Sequence, residues 1–264
     1  MSSPLKPNSI MEMQFTSPFG GQESSNAPKT VLIILNSPIP NPPSICFQKL
    51  WHISSLRICA DGGANKLYDA TYPSTDYIPD KIIGDLDSLL PDVRAHFEKH
   101  KTVVTHDRCQ DTNDLDKALK RCEGYDKVVI YGAYGGRFDQ EMASFYTLYK
   151  WAATFRNQIY LYNDENCSFL IPPNVKTEIK MPNYGEMVAS NGFGEGPTCG
   201  LIPLGMSCES ITTTGLKWNL KGDTPLSFST FISSSNRMME PTITVEASQP
   251  IVFTAEMTKL EPKD

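Results

Sequence analysis

The chain has 264 residues, enough for one large domain or two moderate ones, and its hydrophobic content of 40% is typical of a globular protein with a sizeable core. Its formal charge of −6 and pI near 5.3 argue against nucleic acid or an anionic membrane as a partner, because neither is attracted by an acidic surface. It has no apolar run near the roughly 20 residues of a membrane span, no recognisable targeting signal and seven scattered cysteines without a C-x-x-C pair, so we expect a cytoplasmic protein with free thiols.

The first 28 residues are predicted to form a flexible tail. Residues 1–28 are rich in Ser, Pro, Asn and Gly, and they have too few apolar side chains to offset the entropy of ordering. Regular structure is predicted to begin with the apolar run TVLIILN at residues 30–36, whose β-branched residues suit a strand buried on both faces.

Helices and strands are then predicted to alternate as far as about residue 159. The predicted helices are FQKLWHIS, PDVRAHFEKH, DTNDLDKALKRC and RFDQEMASFYTLYKWAAT, and the predicted strands between them are LRICADGG, DKIIGDLDS, TVVTHD and DKVVIYGAYGG. Such alternation indicates a mostly parallel sheet covered on both faces, which is a Rossmann-like α/β domain over residues 29–170.

The second half of the chain has a different pattern. Short apolar runs such as QIYLYND, KTEIKM, ESITTTG, TITVEAS and IVFTAEM are bounded by Gly, Pro, Asn and Ser, and no segment among them has helical periodicity. This pattern predicts an all-β antiparallel sandwich or barrel over residues 171–264, with the boundary at the IPPN break.

The unusual polar residues of the first half follow the ends of predicted strands. They occur in ADGGAN, GDLDS, QDTND and GAYGGRFDQ. Because ligands of open parallel sheets lie beyond the carboxyl ends of the strands, we expect these four motifs to share one site.

Two carboxylates, Asp85 and Asp87, lie two residues apart in IIGDLDSL. In an extended chain they point to the same side, and at about 5 Å they repel by roughly 3 kcal/mol at an effective dielectric near 20. Either a cation lies between them or the chain turns and parts them. Mg²⁺ fits better than simple turn and cap chemistry, because it prefers oxygen ligands and arrives with phosphates. Asp111 and Asp114 open the next predicted helix, where the helix dipole alone would justify a carboxylate. Asp114 is therefore either a simple helix-start residue or part of the site, whereas Asp111 together with Asp85 suggests a third ligand.

Two glycine pairs are candidates for phosphate binding. Gly62 and Gly63 allow close approach of a ligand to a helix N-terminus, although a plain strand-to-helix turn capped by Asp61 or Asn65 is the alternative. Gly135 and Gly136 are followed by Arg137, a cation at a helix start, which favours contact with phosphate oxygens over a solvated arginine.

In the second half, TTTGLKWNL and STFISSSN stand out. Trp218 is either an ordinary packed tryptophan or a flat wall for a heteroaromatic ligand, with Ser234, Ser235 and Asn236 supplying hydrogen bonds.

These motifs together resemble the thiamine pyrophosphokinases of the eukaryotic type. The resemblance rests on CADGGANKLYD, IIGDLDSL, QDTNDLDKAL, GAYGGRFDQEMAS, CGLIPLG, TTTGLKWNL and SSSN, in that order and spacing, and it extends from residue 31 to the C-terminus. It implies Mg²⁺-dependent transfer of diphosphate from ATP to thiamine, with AMP as the second product. It also implies a homodimer in which thiamine lies between the α/β domain of one subunit and the β-sandwich of the other, so that residues 171–264 bind thiamine and take part in dimerisation.

The resemblance assigns roles to individual residues. It implies that Asp85, Asp87 and Asp111 bind the metal, and that Trp218 and Asn236 contact thiamine. The neighbouring Ser234 and Ser235, expected above to supply hydrogen bonds to a ligand, are then candidate thiamine contacts as well. For Asp114 and Arg137 we expect a part in catalysis, and Asp87 or Asp114 is the candidate to take the hydroxyl proton. The implied ATP contacts are Asp61, Gly62, Gly63, Asn65, Gly135, Gly136, Arg137, Asp139 and Gln140.

Two positions depart from the family pattern, and two other functions stay open. Asn113 stands where the family usually has Thr, and Tyr134 replaces an aliphatic residue. A D-x-D phosphohydrolase with Asp85 as nucleophile, or a nucleotide-sugar transferase, is one alternative, although two strands precede this motif where the phosphohydrolases have none. A non-catalytic thiamine sensor is the other, although it would not need a full set of metal carboxylates.

Overall fold

The computed structural model describes residues 12–16, 28–156, 158–180 and 193–259. Its helices are α1 Ile45–Ile53, α2 Gly63–Thr71, α3 Pro91–Lys99, α4 Asp114–Leu119 and α5 Phe138–Lys150. Its strands are β1 Glu12–Thr16, β2 Thr30–Ile34, β3 Leu56–Ala60, β4 Lys81–Gly84, β5 Val103–His106, β6 Lys127–Tyr131, β7 Ile159–Tyr162, β8 Asn166–Ile171, β9 Lys176–Lys180, β10 Phe193–Ile202, β11 Ile211–Thr214, β12 Ser233–Arg237, β13 Thr242–Ala247 and β14 Ile251–Lys259. No helix in these ranges is long and apolar enough to cross a membrane.

The strands form two sheets. The larger has ten strands in the order β12-β10-β14-β8-β7-β6-β2-β3-β4-β5, and the smaller has four in the order β1-β9-β13-β11. In the larger sheet, β7, β6, β2, β3, β4 and β5 are parallel, whereas β8, β14, β10 and β12 are joined by antiparallel pairing. This confirms the predicted fold class, a mostly parallel α/β region followed by an antiparallel β region.

Helices cover both faces of the parallel strands. Apolar residues of α1, α2 and α3, such as Phe47, Leu67 and Phe97, pack with one face, and those of α4 and α5, such as Leu115 and Leu148, pack with the other. Strand β2 is buried along its whole length, as its continuous apolar run predicted.

The smaller sheet packs against the antiparallel end of the larger one. Ile179 and Ile243 of the smaller sheet belong to the same apolar cluster as Leu201 and Phe253 of the larger sheet. The C-terminal half is therefore two sheets packed face to face, which is the predicted sandwich.

Two features of the chain differ from the expected organisation. Residues 12–16 form β1, which pairs parallel with β9, so the prediction of a flexible tail is wrong for these residues; residues 1–11 and 17–27 lie outside the described ranges. The larger sheet also continues across the predicted boundary at residue 170, because β8 pairs with β14.

A buried carboxylate fixes the two helices that flank the site. Asp116 of α4 accepts hydrogen bonds from Nζ of Lys150 at 2.8 Å and from Nε1 of Trp151 at 2.7 Å. These bonds hold α4 against the C-terminal end of α5.

Candidate active site

The strand-end motifs surround one cavity of about 780 Å³. This volume lies within the range of small-molecule sites. Ten of the residues predicted for the site line it, namely Asp61, Gly62, Asp85, Asp87, Asp111, Asp114, Gly135, Gly136, Arg137 and Gln140. The lining contains neither Gly63, Asn65 and Asp139 nor the four predicted thiamine contacts.

Three carboxylates meet in this cavity. Asp61, Asp85 and Asp114 each offer an oxygen, and these oxygens all lie within 4.8 Å of one another. Gly84 permits this close approach, because a Cβ at that position would lie 2.6 Å from Cβ of Asp61. We call Asp61, Asp85 and Asp114 the acid cluster. Asp87 and Asp111 line the same cavity but do not belong to this cluster.

Asp61 is the most buried member of the acid cluster, with 3% of its surface exposed. Its Oδ2 accepts a hydrogen bond from the Ser88 backbone N–H at 3.2 Å, whereas Oδ1 is buried without a partner among the described residues. Burial raises the pKa of Asp61, the hydrogen bond from Ser88 opposes that rise, and the charge of Asp114 adds to it. A buried carboxylate oxygen without a donor is suited to a cation.

Lys117 holds the other two members of the acid cluster. Its Nζ lies 3.0 Å from Oδ1 of Asp114 and 3.6 Å from Oδ2 of Asp85, and its side chain is only 2% exposed. Burial lowers the pKa of Lys117, but the hydrogen bond and charge of Asp114, followed by the charge of Asp85, outweigh burial and raise it. The ammonium therefore stays charged and offsets part of the carboxylate charge.

The GDLDS segment turns, and this turn, rather than a cation between them, separates the carboxylates of Asp85 and Asp87. Strand β4 ends at Gly84, and Leu86 has a φ of 62° in the left-handed region. Asp85 therefore points into the acid cluster, and its backbone N–H donates to Oδ1 of Asp114 at 3.3 Å. Asp87 instead accepts a hydrogen bond from the Ser88 hydroxyl at 2.9 Å.

The QDTND segment forms the start of α4. Asn113 is its N-cap and accepts a hydrogen bond from the Asp116 backbone N–H at 2.8 Å. This bond gives Asn113 a capping function that Thr also performs, so the departure from the family pattern preserves the helix start. Asp114 occupies the first turn, as its sequence position predicted, and Asp111 is exposed at the edge of the cavity.

The two glycine pairs are constrained in different ways, one by close packing and the other by backbone conformation. A Cβ on Gly63 would lie 2.3 Å from the Ile34 carbonyl oxygen, a backbone atom, so glycine is required there by packing against the end of β2. A Cβ on Gly62 would lie 2.5 Å from Nδ2 of Asn36, so that side chain would have to move. Gly135 and Gly136 have φ values of 78° and 74° and no atom within 4 Å of an added Cβ, so they are required by backbone conformation.

Arg137 lies at the rim of the cavity and is paired with Asp139. Nε of Arg137 donates to Oδ1 of Asp139 at 3.1 Å, and both side chains are largely exposed. The hydrogen bond from Arg137 lowers the pKa of Asp139. Exposed pairs of this kind are weak, so the guanidinium is available to a stronger anion.

The predicted thiamine contacts lie together elsewhere. Trp218 is 56% exposed, and Nζ of Lys217 lies 4.5 Å from the centre of its ring. Asn236 is buried; its Oδ1 accepts from the Trp218 backbone N–H at 3.2 Å, and its Nδ2 donates to the Trp218 carbonyl at 2.9 Å. Asn236 thus fixes the Trp218 loop, beside Ser234 and Ser235 of β12.

We call Trp218 with Ser234, Ser235 and Asn236 the Trp218 surface. The Trp218 surface and the acid cluster lie near opposite edges of the larger sheet. Strand β12 is one edge, and β4, whose last residue directly precedes Asp85, is eight strand positions away. At about 4.8 Å per strand, the separation along the sheet is roughly 38 Å.

Sequence reasoning missed Lys117 and assigned the acid cluster only in part. Asp61 was expected to contact nucleotide, and Asp114 was assigned to catalysis rather than to a cation. Lys117 carried a usable signal, since it follows Asp114 by three residues on a helix and so lies on the same face.

Comparisons with known proteins cover both halves of the chain. Residues 47–161 match the family model described as the thiamin pyrophosphokinase catalytic domain, and residues 176–252 match that of the thiamin pyrophosphokinase vitamin B1 binding domain. Thiamine pyrophosphokinase 2 of Oryza sativa subsp. japonica is 33% identical over 256 residues, and thiamine pyrophosphokinase 1 of Arabidopsis thaliana is 34% identical over 257 residues; each match covers 90% of both chains.

Solved structures give the same result. The thiamin pyrophosphokinase from Candida albicans superimposes with a TM-score of 0.76 at 26% identity, and yeast thiamin pyrophosphokinase does so with 0.78 at 25%. Both matches cover 97% of this chain and 96% of the other.

Proposed function

The chain belongs to the thiamin pyrophosphokinase family, and from this membership we propose how its residues share the work of the reaction. The enzyme transfers diphosphate from ATP to the hydroxyl of thiamine and yields thiamine diphosphate and AMP. Residues 29–170 are proposed to bind ATP and residues 171–264 to bind thiamine, in line with the ranges of the two matched family models. A cytoplasmic location stays a prediction.

The acid cluster fits Mg²⁺. Asp61, Asp85 and Asp114 offer three carboxylates, one of them with a buried and unpartnered oxygen, and this hard donor set is the one that Mg²⁺ prefers. When bound there, Mg²⁺ neutralises charge on the polyphosphate oxygens. Asp87 and Asp111, the other predicted ligands, line the same cavity and are proposed to face the polyphosphate together with the cation.

Positioning by the protein supplies most of the remaining catalysis, because phosphoryl transfer requires little covalent chemistry from side chains. Arg137 is proposed to leave Asp139 for the phosphate oxygens, to which a guanidinium can donate two hydrogen bonds at once. Of the two candidates for the hydroxyl proton, Asp87 is the freer, since Asp114 is bonded to Lys117 and to the Asp85 N–H.

The active site is proposed to form between two copies of the chain. The Trp218 surface and the acid cluster of one chain lie eight strand positions apart in a continuous sheet, roughly 38 Å at the usual strand spacing, whereas the two substrates must meet. A homodimer in which Trp218, Ser234 and Ser235 of one subunit face the cavity of the other resolves this separation. Asn236 holds the Trp218 loop in place.

The proposed site rests on one observation: the three carboxylates of the acid cluster meet in this cavity, in a chain that belongs to this family. Pure protein with ATP, Mg²⁺ and thiamine should form AMP and thiamine diphosphate in equal amounts, and removal of Mg²⁺ should stop both. Formation of ADP in place of AMP, or a covalent phosphoryl group on Asp85, would contradict the proposed roles of these residues.

A further inference from the structure

We propose that Lys117 is a positioning residue that holds Asp85 and Asp114 together and weakens the binding of divalent cations to the nucleotide-free protein. Through this effect Mg²⁺ is held firmly only together with the polyphosphate. The inference rests on the proposed cation site at the acid cluster and adds a residue that sets the affinity of that site.

The first argument is the place of the ammonium group. Lys117 is the buried fourth residue of α4, its Nζ lies 3.0 Å from Asp114 and 3.6 Å from Asp85, and the residues on either side of it in α4 are also buried. Lysine side chains usually extend to water, and a lysine that is 2% exposed is retained only where carboxylates compensate its burial. The two carboxylates that compensate it are members of the acid cluster.

The second argument is charge. Three carboxylates against one ammonium leave two unbalanced negative charges, which one divalent cation balances. Without the ammonium, all three charges would attract the cation and no positive charge would repel it. A unit charge within about 5 Å of a divalent ion changes its binding by more than tenfold, even at an effective dielectric near 20.

The consequence for the reaction is control of cation release. A site that held Mg²⁺ tightly without nucleotide would retain it after AMP and thiamine diphosphate left. With Lys117 in place, the polyphosphate supplies the missing attraction, so that cation and nucleotide bind together.

The test uses Mn²⁺ as the probe, because it accepts the same oxygen ligands as Mg²⁺ and its free form gives an electron paramagnetic resonance signal. Nucleotide-free protein is titrated with Mn²⁺ for the parent, Lys117→Met and Lys117→Arg. We expect Lys117→Met to bind Mn²⁺ at least tenfold more tightly than the parent, and Lys117→Arg to stay within about threefold because it keeps the charge. Lys120→Met removes an exposed lysine from the end of the same helix and should leave Mn²⁺ binding unchanged.

Equal or weaker Mn²⁺ binding by folded Lys117→Met would overturn the proposal. If that variant does not fold, as judged by circular dichroism, Lys117→Gln removes the same charge with a polar side chain and decides the question by the same criterion. A lysine that served only packing would change stability without tightening Mn²⁺ binding.

An Asp85→Asn control separates this inference from the proposed cation site. If the parent binds Mn²⁺ and Asp85→Asn does not, the cation site stands, and the Lys117 variants alone decide the role of Lys117. If Asp85→Asn binds Mn²⁺ as the parent does, the cation site itself is wrong and the inference fails with it.

Discussion

At a thiamine concentration well below the KM of the Trp218→Ala variant, two variants that have little activity alone should form an active enzyme when paired in one dimer. Asp85→Asn removes a carboxylate of the acid cluster. Trp218→Ala removes an exposed aromatic side chain of the C-terminal β-sandwich. In one chain these side chains belong to opposite ends of the ten-stranded sheet, roughly 38 Å apart along it. In the proposed homodimer, each variant therefore damages a different half of the site.

The expected activity follows from counting sites. A hybrid dimer of the two variants has one site with both defects and one site with neither. Its turnover should be about half that of the parent dimer, whereas each variant dimer alone should have little activity. The hybrid is obtained by co-expressing the two variants with different tags and purifying on both, and AMP formation is the measured quantity.

A second hybrid gives the opposite expectation and serves as the control. When the parent chain is paired with a chain that carries both Asp85→Asn and Trp218→Ala, each shared site receives one defect, so this dimer should have little activity at the same low thiamine concentration. If the site lay within one chain, this dimer would keep about half of the parent activity and the first hybrid would have none. That reversed result would refute the shared site.

Three further predictions concern single residues. Trp218→Ala should raise KM for thiamine at least tenfold and leave KM for ATP within about twofold, and equal rises would contradict a thiamine contact. Asp116→Ala should lower the free energy of unfolding by about 1–3 kcal/mol in urea titrations, because it leaves the Trp151 indole N–H and a neighbouring ammonium without an acceptor; an unchanged midpoint would show that the bond adds nothing. Burial, followed by the charge of His100, lowers the pKa of His96, so its contribution to stability is present above the ordinary histidine pKa near 6.5 and is lost as the pH falls through the lowered value. His96→Asn should therefore flatten the stability profile below about pH 6.5, and an unaltered profile would exclude His96 as its source.

Local patterns predicted most of the helices and strands, but they missed β1 and did not predict all of the strand pairing. The apolar run at residues 30–36 is sufficient to indicate a strand buried on both faces, and β2 is such a strand. The pairing of β8 with β14 joins segments far apart in the sequence, and no local pattern specifies such a partner. For the same reason, the change near residue 170 from alternating helices and strands to short strands alone suggested a domain boundary, although one sheet continues across it.

The site was predictable as a place but not in its detailed contacts. Strand ends meet at one edge of a parallel sheet, so the motifs alone placed Asp61, Asp85 and Asp114 in one cavity. The choice of carboxylates that meet depends on backbone turns. Leu86 adopts a positive φ, which directs Asp85 and Asp87 to different partners, and a non-glycine residue gives little sign of that conformation in sequence.

The pairing of β8 with β14 also limits how early in synthesis β8 can complete its backbone pairing. Strand β8 ends at Ile171, and its neighbour β14 begins only at Ile251, so the edge of β8 that faces β14 has no partner until synthesis has passed Ile251. Until then β8 presents an apolar strand with open backbone groups, the kind of edge that promotes association between chains. The first 170 residues are thus expected to fold productively only after synthesis of the last strand, and expression of them alone should yield aggregates.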